Sequence, residues 1–297
     1  MIINFHTGSK LLRLTKKHKK SISGIVILRE TNYLDAKESC VLNRMQKRWE
    51  VSQAAIKSGL NGKHKSVGGM VGGEARKLNK WLKSKKRLMS KTTLKAATYA
   101  LANTECNACM GRIVSCPTAG ASGVLPGIMM AVKEDLKVKD EKILAGYFAA
   151  AGVGIIIAEN ATLAGAQGGC QAEIGSAAAM AAAGLTEIRG GTPEQCLNAA
   201  ALALKNFLGL ACDPVGGLVE VPCVKRNAYG VTHAMMASEM SLAGIESFIP
   251  FDEVVEAMSN IGKLISPKLR ETAMGGLAVT DSAKRLEKKL GILKGED

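Results

Sequence analysis

The sequence predicts an all-α fold, built as a single multi-helix domain, and three observations support this. First, 47% of the 297 residues are hydrophobic but only 4% are aromatic, which favours helices that pack closely through small side chains. Second, the second half of the chain is crowded with Ala, Gly and Met. Third, apolar segments of helical length alternate with glycine-rich loops from residue 94 onward. The length allows one large domain with a substantial core.

The start of the chain differs from the rest. Residues 1–28 are basic, include the run KLLRLTKKHKK at 10–20, and lack a sustained hydrophobic period. We expect this segment to be poorly ordered or to order only with a partner, and the main domain to span residues 29–297. The first residues also lack the apolar core and cleavage site of a secretory signal. Together with eight cysteines that do not resemble a disulfide scaffold, this predicts a cytoplasmic protein.

The first predicted helix of the main domain covers residues 31–60. Its apolar residues recur at roughly helical spacing, with Thr31 or Asn32 as the N-cap and Gly59 as the stop. A glycine-rich loop within 61–78 then leads into a basic helix. We interpret this loop as a tight turn and not as a phosphate cradle, because the GxxxxGK[ST] pattern is missing and no clear strand precedes it.

Later helices are predicted by apolar periodicity and by start signals such as Thr192 followed by Pro193 and Gln195. The apolar run 143–158 is too short to span a bilayer comfortably, so we expect a buried helix and no membrane association. The predicted helical segments are 93–114, 125–136, 143–158, 174–188, 192–210, 230–244 and 251–265.

The net charge of +14 is concentrated in two stretches, residues 10–20 and 75–91. Such stretches are typical of solvated helix faces or of a docking surface for an acidic partner. Nucleic-acid binding is the other interpretation, but it is disfavoured because Trp81 is the only aromatic residue among the lysines of the second stretch.

Three predicted loops combine glycine with small polar or sulfur-containing side chains: residues 115–127, 159–175 and 212–228. Glycine lets the backbone approach a ligand closely, and proline fixes a turn. The second and third loops contain Cys170, Cys212 and Cys223. We therefore expect these loops to converge on one site.

The other cysteines fit packing roles better. Cys40 and Cys196 lie within helical patterns and are expected to be core thiols. Cys106 and Cys109 form a CxxC motif, but they continue a helical pattern and no second ligand pair follows at short range, which favours packing over zinc. Cys116 is either a neighbour of the site or a space-filling residue.

Three thiolates without an obvious fourth restrict the possible metal chemistry. Thiolate ligands select zinc, copper(I) or iron–sulfur clusters, and a structural zinc site would require four ligands. A [4Fe–4S] cluster held by three cysteines leaves one iron as a Lewis acid that can bind a hydroxyl or carboxylate group. The pattern therefore predicts catalysis instead of electron transfer.

Four motifs carry a resemblance to a known family: NACMGRIVSCPTAGASGVLPG, GCQAEIGSAAAMAAAGL, CDPVGGLVEVPCVKRNA and SPKLRETAMGGLAVT. From about residue 30 to 286 the chain resembles the α subunit of the iron–sulfur-dependent L-serine dehydratases. The resemblance implies a [4Fe–4S] cluster on Cys170, Cys212 and Cys223, and deamination of L-serine to pyruvate and ammonia without pyridoxal phosphate. In single-chain relatives a further N-terminal domain contributes to the site, so the resemblance implies a separate β subunit here.

The sequence identifies residues that could contact the substrate less specifically than it identifies the three cysteines. For each candidate, a role in loop structure or surface solvation is an equal alternative. The candidates are Lys77, Thr118, Ser122, Asn160, Glu173 and Asn227. The catalytic base is unknown: the four histidines are His6, His18, His64 and His233, none stands out, and the β subunit could supply the base.

Two other functions stay open. An L-cysteine desulfidase would use a similar domain and cluster to eliminate sulfide from a three-carbon amino acid. A zinc-stabilised nucleic-acid-binding protein would use Cys106, Cys109 and the lysine runs. An inactive structural subunit is a third possibility. As partners we expect L-serine, the β subunit and further copies in an oligomer, without nucleic acid or membrane.

Overall fold

The computed structural model describes residues 3–62 and 65–291, and in that part of the chain the all-α prediction is confirmed. The described residues contain no sheet, only an isolated bridge between Cys212 and Arg270. His64, considered above as a base, lies outside the described residues. The helices are α1 Gly8–His18, α2 Ile22–Tyr33, α3 Glu38–Asn61, α4 Glu74–Trp81, α5 Lys91–Ala108, α6 Val124–Asp135, α7 Asp140–Asn160, α8 Gly165–Gly168, α9 Ser176–Ile188, α10 Pro193–Lys205, α11 Cys223–Leu242, α12 Phe251–Leu264 and α13 Asp281–Leu290.

Helix α9 lies at the centre of the fold and packs against α7, α10 and α11. Its sequence SAAAMAAAGLTEI is buried almost throughout, and its small side chains let the neighbouring helices approach closely. A second layer is formed by α5, which packs against α3, α6 and α11. This arrangement places the start of α11 and the segment before α9 beside each other, where the cysteine loops meet.

Helix α7 contains the apolar run predicted to be a buried helix, and that prediction is confirmed. Among the described helices it alone is long and apolar enough to cross a bilayer, but 67% of its most apolar window is buried inside the fold. It packs against α9 and α2. Its apolar surface is therefore used by the protein core.

The N-terminal segment is more ordered than expected. Thr7 and Ser21 cap α1 and α2 by accepting hydrogen bonds from the backbone N–H groups of Lys10 and Gly24. Leu11 and other apolar side chains of these helices are buried in the common core. Residues 3–28 are thus fixed against the main domain, contrary to the expectation of a loose start, because apolar residues hidden among the lysines form a core-facing stripe.

Several predicted boundaries are wrong. The predicted N-caps Thr31 and Asn32 lie inside α2, and α3 begins only at Glu38. Helix α11 begins at Cys223, well before the predicted residue 230, directly after Pro222. Gly59 does not stop its helix.

Gly59 marks a close helix crossing. A methyl group added at Gly59 of α3 would clash with the backbone carbonyl of Ala102 in α5. Because a backbone atom cannot rotate away, we expect Gly59→Ala to lower the free energy of unfolding by about 2 kcal/mol in urea denaturation. The control is Gly24→Ala in α2, where the nearest neighbour is the flexible Lys20 side chain. That change should be neutral or stabilise by up to about 1 kcal/mol. Equal effects of the two changes would contradict the close crossing.

Candidate functional site

The three loop cysteines are all buried, with exposed fractions of 2% for Cys170, 1% for Cys212 and 8% for Cys223. Cys170 directly precedes a π-helical turn, Gln171–Gly175, that runs into α9. Cys212 lies in the extended segment after α10, and Cys223 is the first residue of α11. A single π-turn at such a position is common at functional sites.

Gln171 fixes the Cys170 loop against the Cys212 loop. Its backbone N–H donates to the Leu210 carbonyl at 3.2 Å. Its side-chain oxygen accepts from the Gly209 N–H at 2.9 Å. Gly169 has φ of +75°, and a Cβ there would lie 2.8 Å from the Leu210 carbonyl oxygen. Only glycine fits this position without strain, so the approach of the two loops depends on it.

Cys170 and Cys212 interact directly. The adjacent Cys212 thiol lowers the pKa of Cys170 against the opposing effect of burial, and the Arg226 guanidinium lowers this pKa further. The same interaction, together with burial, raises the pKa of Cys212. Burial and the charges of Cys170 and Glu173 raise the pKa of Cys223 to about 12. The first proton to leave this group therefore leaves from Cys170.

Arg226 joins the cysteine loop to α11, and the sequence analysis missed it. Its guanidinium donates to the Asp213 carboxylate at 3.0 Å and to the Ala211 carbonyl at 2.8 Å. The other Asp213 oxygen accepts from the Leu277 N–H at 2.8 Å. The spacing of Arg226, three residues after Cys223 at a helix start, puts both on one helix face and is the signal that could have identified it.

A C-terminal segment holds Cys212 by its backbone. The Cys212 N–H donates to the Leu269 carbonyl at 2.8 Å, and the Glu271 N–H donates to the Cys212 carbonyl at 2.7 Å. The segment belongs to the motif SPKLRETAMGGLAVT. Its role here is therefore to position the cysteine loop.

Thr118 and Glu173 are predicted site residues that the structure brings to the cysteines. The Thr118 hydroxyl donates to Glu173 Oε1 at 2.6 Å, and the Cys212 thiol lies 3.7 Å from Glu173 Oε2. Burial raises the pKa of Glu173, and the charge of Glu271 raises it further. The loop at 115–127 thus meets the cysteine loops through this pair of side chains.

Asn227 and Ser122 also lie in this region, but their polar groups are occupied within the loops. Asn227 accepts from the Gly123 N–H at 2.9 Å and donates to the Gly120 carbonyl at 2.7 Å. The Ser122 hydroxyl accepts from the Asn103 side-chain amide at 3.0 Å. Both Asn227 and Ser122 are fully buried. They hold the 115–127 loop in place, and their contact with substrate stays a prediction.

Asn160 and Lys77 are not brought to the cysteines by any contact of the described residues. The Asn160 side chain donates to the His6 carbonyl at 2.7 Å and to the Ile156 carbonyl at 2.8 Å. It therefore ties the end of α7 to the N-terminal segment. Lys77 is exposed on α4.

Glu220 is a second residue that sequence reasoning missed. This buried carboxylate accepts hydrogen bonds from the Ser66 hydroxyl, from the Gly68 N–H at 2.6 Å and from the Met70 N–H at 3.0 Å. It lies between Cys212 and Cys223 in the chain and connects their loop to the glycine-rich turn at 66–70. An acidic residue in the otherwise apolar stretch LVEVP is the signal that could have identified it.

Of the other cysteines, Cys40 differs from the prediction in its burial. Cys196 is fully buried, as expected, whereas Cys40 is exposed, since it lies on the outer face of α3. Cys106 is buried within α5 and Cys109 caps its C-terminal end. Burial raises the pKa of Cys116 to about 12, so its thiol is protonated and suited to packing.

His233 is held by its own helix. Its ring packs against Phe207 in a tilted arrangement, with centroids 4.7 Å apart and an interplanar angle of 52°, and Nδ1 lies 2.9 Å from the Tyr229 carbonyl oxygen. Because a carbonyl oxygen only accepts, Nδ1 carries the proton. This arrangement matches the expectation of a satisfied helical histidine.

Two carboxylates meet at the start of α4. Burial and the adjacent Glu74 together raise the pKa of Glu105 to about 7, although hydrogen bonds from the Ala75 and Gly73 N–H groups oppose this shift. Burial also disfavours the charged form of Glu74, but hydrogen bonds from Glu105, the Gly72 N–H and other donors outweigh burial and lower its pKa to about 2. The pair therefore shares a proton, held on Glu105.

This shared proton predicts a pH-dependent stability. The pKa of Glu105 in the folded protein lies above its ordinary value of 4.5. The free energy of unfolding is therefore highest while Glu105 is protonated, and it falls as pH rises from about 4.5 through about 7 and the buried carboxyl group loses its proton. Glu105→Gln leaves either the Gly73 or the Ala75 N–H group without an acceptor, so we expect it to be less stable than the wild type in urea at about pH 5 and the difference to shrink at about pH 8, where the wild type carries the buried charge. The control Glu246→Gln, at an exposed position, should follow the wild type. A pH-independent effect of Glu105→Gln would contradict the shared proton.

Residues 17–278 match the family model described as serine dehydratase alpha chain. The chain is 46% identical over 286 residues to the probable L-serine dehydratase, alpha chain, of Bacillus subtilis, covering 96% of this chain and 95% of that protein. It is 38% identical over 283 residues to the L-serine dehydratase, alpha chain, of Peptoniphilus asaccharolyticus, covering 95% of this chain and 97% of that protein. An L-serine dehydratase of Streptomyces coelicolor is 38% identical over 282 residues, covering 93% of this chain and 61% of that longer protein.

The family match contains Cys170, Cys212, Cys223 and the loops that converge on them, and the alignments with the two alpha chains extend over nearly the whole chain. The chain therefore belongs to the serine dehydratase alpha chain family.

Proposed function

We propose that this protein is the alpha subunit of a two-subunit L-serine ammonia-lyase that converts L-serine to pyruvate and ammonia without pyridoxal phosphate. The observation that carries the proposal is the burial of three thiols on loops that meet, with Cys212 beside Glu173 and Glu173 bonded to Thr118, in a chain aligned over nearly its full length with L-serine dehydratase alpha chains. The longer Streptomyces relative supports the second subunit, because this chain covers 61% of its length.

The thiols fit a [4Fe–4S] cluster by their chemistry. Cys170, Cys212 and Cys223 are free and buried, and thiolates are the ligands that such clusters use. Among residues 3–62 and 65–291, no group of three or more His, Cys, Asp or Glu side chains is spaced for one metal ion. Cys170, Cys212 and Cys223 would hold the cluster through their thiolates. The positive charge of Arg226 beside Cys170 favours the thiolate form.

When bound, the cluster supplies a Lewis acid that weakens the bond between Cβ and the substrate hydroxyl. The protein residues hold and orient the substrate. The backbone of the 115–127 loop and the Thr118 hydroxyl would provide polar groups for the serine carboxylate, and Glu173, which accepts from Thr118 at 2.6 Å, would bind the ammonium group. Loss of the Cα proton and of hydroxide gives aminoacrylate, which tautomerises and reacts with water to give pyruvate and ammonia.

The eight cysteines are all unpaired, which supports our placing the reaction in the reducing cytoplasm. A reducing compartment also protects thiol ligands from disulfide formation. Buried ligands also limit contact of the site with solvent and oxidants.

The test is to purify the protein without oxygen, alone and with its beta chain, and to measure iron, sulfide, pyruvate from L-serine and sulfide from L-cysteine. We expect about four irons and four sulfides per chain, with pyruvate formed from L-serine when the beta chain is present. A rate at least about tenfold higher with L-cysteine would assign a desulfidase instead. Absence of iron and sulfide after anaerobic loading would overturn the cluster.

A further inference from the structure

The segment 76–91 carries a dense positive charge outside the site described above. It consists of most of α4 and the connection to α5, and it contains eight lysines and arginines without a single Asp or Glu. These are Arg76, Lys77, Lys80, Lys83, Lys85, Lys86, Arg87 and Lys91. Within the described ranges of the chain, none of the eight forms an ion pair. Their mutual repulsion is unfavourable unless a partner neutralises it.

Apolar side chains are exposed among these charges. The exposed fraction is 48% for Trp81, 102% for Leu88 and 42% for Met89. Val67 and Met110 add further exposed apolar area on the adjoining turn and at the end of α5. The backbone bond from the Val67 N–H to the Ala108 carbonyl, at 3.1 Å, joins that turn to α5. We call residues 76–91, Val67 and Met110 the basic surface.

The basic surface is connected to the cysteine loop by two links. Lys225, two residues after Cys223, pairs with Glu74 at the start of α4 at 3.2 Å. Glu220 holds the turn at 66–70 through the hydrogen bonds described above. A molecule seated on the basic surface therefore lies against the same framework that positions Cys223.

The composition fits a protein partner better than a nucleic acid. Nucleic-acid surfaces pair cations with aromatic rings that stack on bases, whereas here Leu88 and Met89 are aliphatic and Trp81 is the one ring in the segment 76–91. Trp and Met are enriched at the centres of protein interfaces, with charged residues at the rim. Eight cations without an ion pair in the described part of the chain complement an acidic partner surface.

We propose that the basic surface docks an acidic, partly apolar face of the beta chain and so places that chain beside the cysteine site. This proposal rests on the two-subunit arrangement of the proposed function. Trp81 and Leu88 act as apolar anchors, and the lysines around them pair with carboxylates of the beta chain.

The test compares alpha chains for their affinity to separately purified beta chain. In Lys80→Glu/Lys83→Glu/Lys86→Glu, all three exposed positions reverse charge. We expect at least about tenfold weaker binding at about 0.05 M salt, and a smaller difference at about 0.5 M salt because salt screens these charges. Trp81→Ala/Leu88→Ala should weaken binding at both salt concentrations, since burial of apolar area is not screened.

The matched control is Lys10→Glu/Arg13→Glu/Lys17→Glu, which makes the same charge change at exposed positions of α1. Binding of the control should stay close to that of the wild type. Three results would overturn the proposal. The control could lose as much affinity for the beta chain as the basic-surface variants do, the basic-surface variants could keep the wild-type affinity, or the wild type could fail to bind the beta chain. So would a loss of DNA affinity in the variants with unchanged beta-chain affinity. Iron and sulfide content, measured in parallel, tests the proposed function separately, because docking does not require the cluster.

Discussion

Replacing Cys170, Cys212 or Cys223 singly by serine is expected to remove iron and sulfide from the protein and to reduce pyruvate formation from L-serine by more than about a hundredfold. The reason for this magnitude is that residues which only support metal ligands already contribute ten- to hundredfold. A serine hydroxyl is a poor substitute for a thiolate toward iron. Iron and acid-labile sulfide analysis, together with the absorbance of the brown protein, measures the loss directly.

The matched controls are Cys109→Ser and Cys40→Ser, which remove a half-buried and an exposed thiol outside the three cysteine positions. Both should keep the iron content and the rate of the wild type. Urea denaturation of the protein without iron separates cluster loss from misfolding, because a buried cysteine variant that still unfolds cooperatively has kept its fold. If a Cys170, Cys212 or Cys223 variant retains full iron and sulfide, that cysteine is not a ligand.

The helices and the positions of the loops could be predicted from the sequence because both depend on local signals. Apolar periodicity and cap residues identified α6, α7, α9, α10 and α12 to within a few residues. Glycine and proline identified the loops, and small polar residues such as Thr118 identified the one that reaches Glu173. The N-terminal helix α1 was missed because its apolar stripe is short and surrounded by lysines.

Contacts between distant segments could not be predicted in the same way. Gly59 looks like a helix stop in the sequence, yet its role is set by the approach of Ala102, which only the packing of α3 on α5 reveals. Asn160 is the last residue of α7 and precedes a cysteine loop, but its side chain binds the N-terminal segment. Arg226 is one of several cations near Cys223, and only the position of Asp213 shows which of them faces the cysteine loop.

Glu220 shows a local signal, as an acidic residue in an apolar stretch, but its partners lie in a distant turn that the sequence does not reveal. Its replacement is expected to have the largest effect on stability. In Glu220→Gln, one carboxylate oxygen becomes an amide nitrogen that cannot accept the hydrogen bonds from the turn at 66–70. Because the remaining oxygen cannot serve both the Gly68 and the Met70 N–H group, at least one donor is then left without a partner, and we expect the free energy of unfolding to fall by about 3 kcal/mol in urea denaturation.

The iron content of Glu220→Gln after anaerobic loading should also fall, since the loop between Cys212 and Cys223 loses its link to the turn. The exposed Glu256→Gln makes the same chemical change without burial and should match the wild type in both measurements. If Glu220→Gln unfolds at the wild-type urea concentration, the three hydrogen bonds do not stabilise the fold. If it is destabilised but loads iron fully, Glu220 supports the fold without positioning the cysteines.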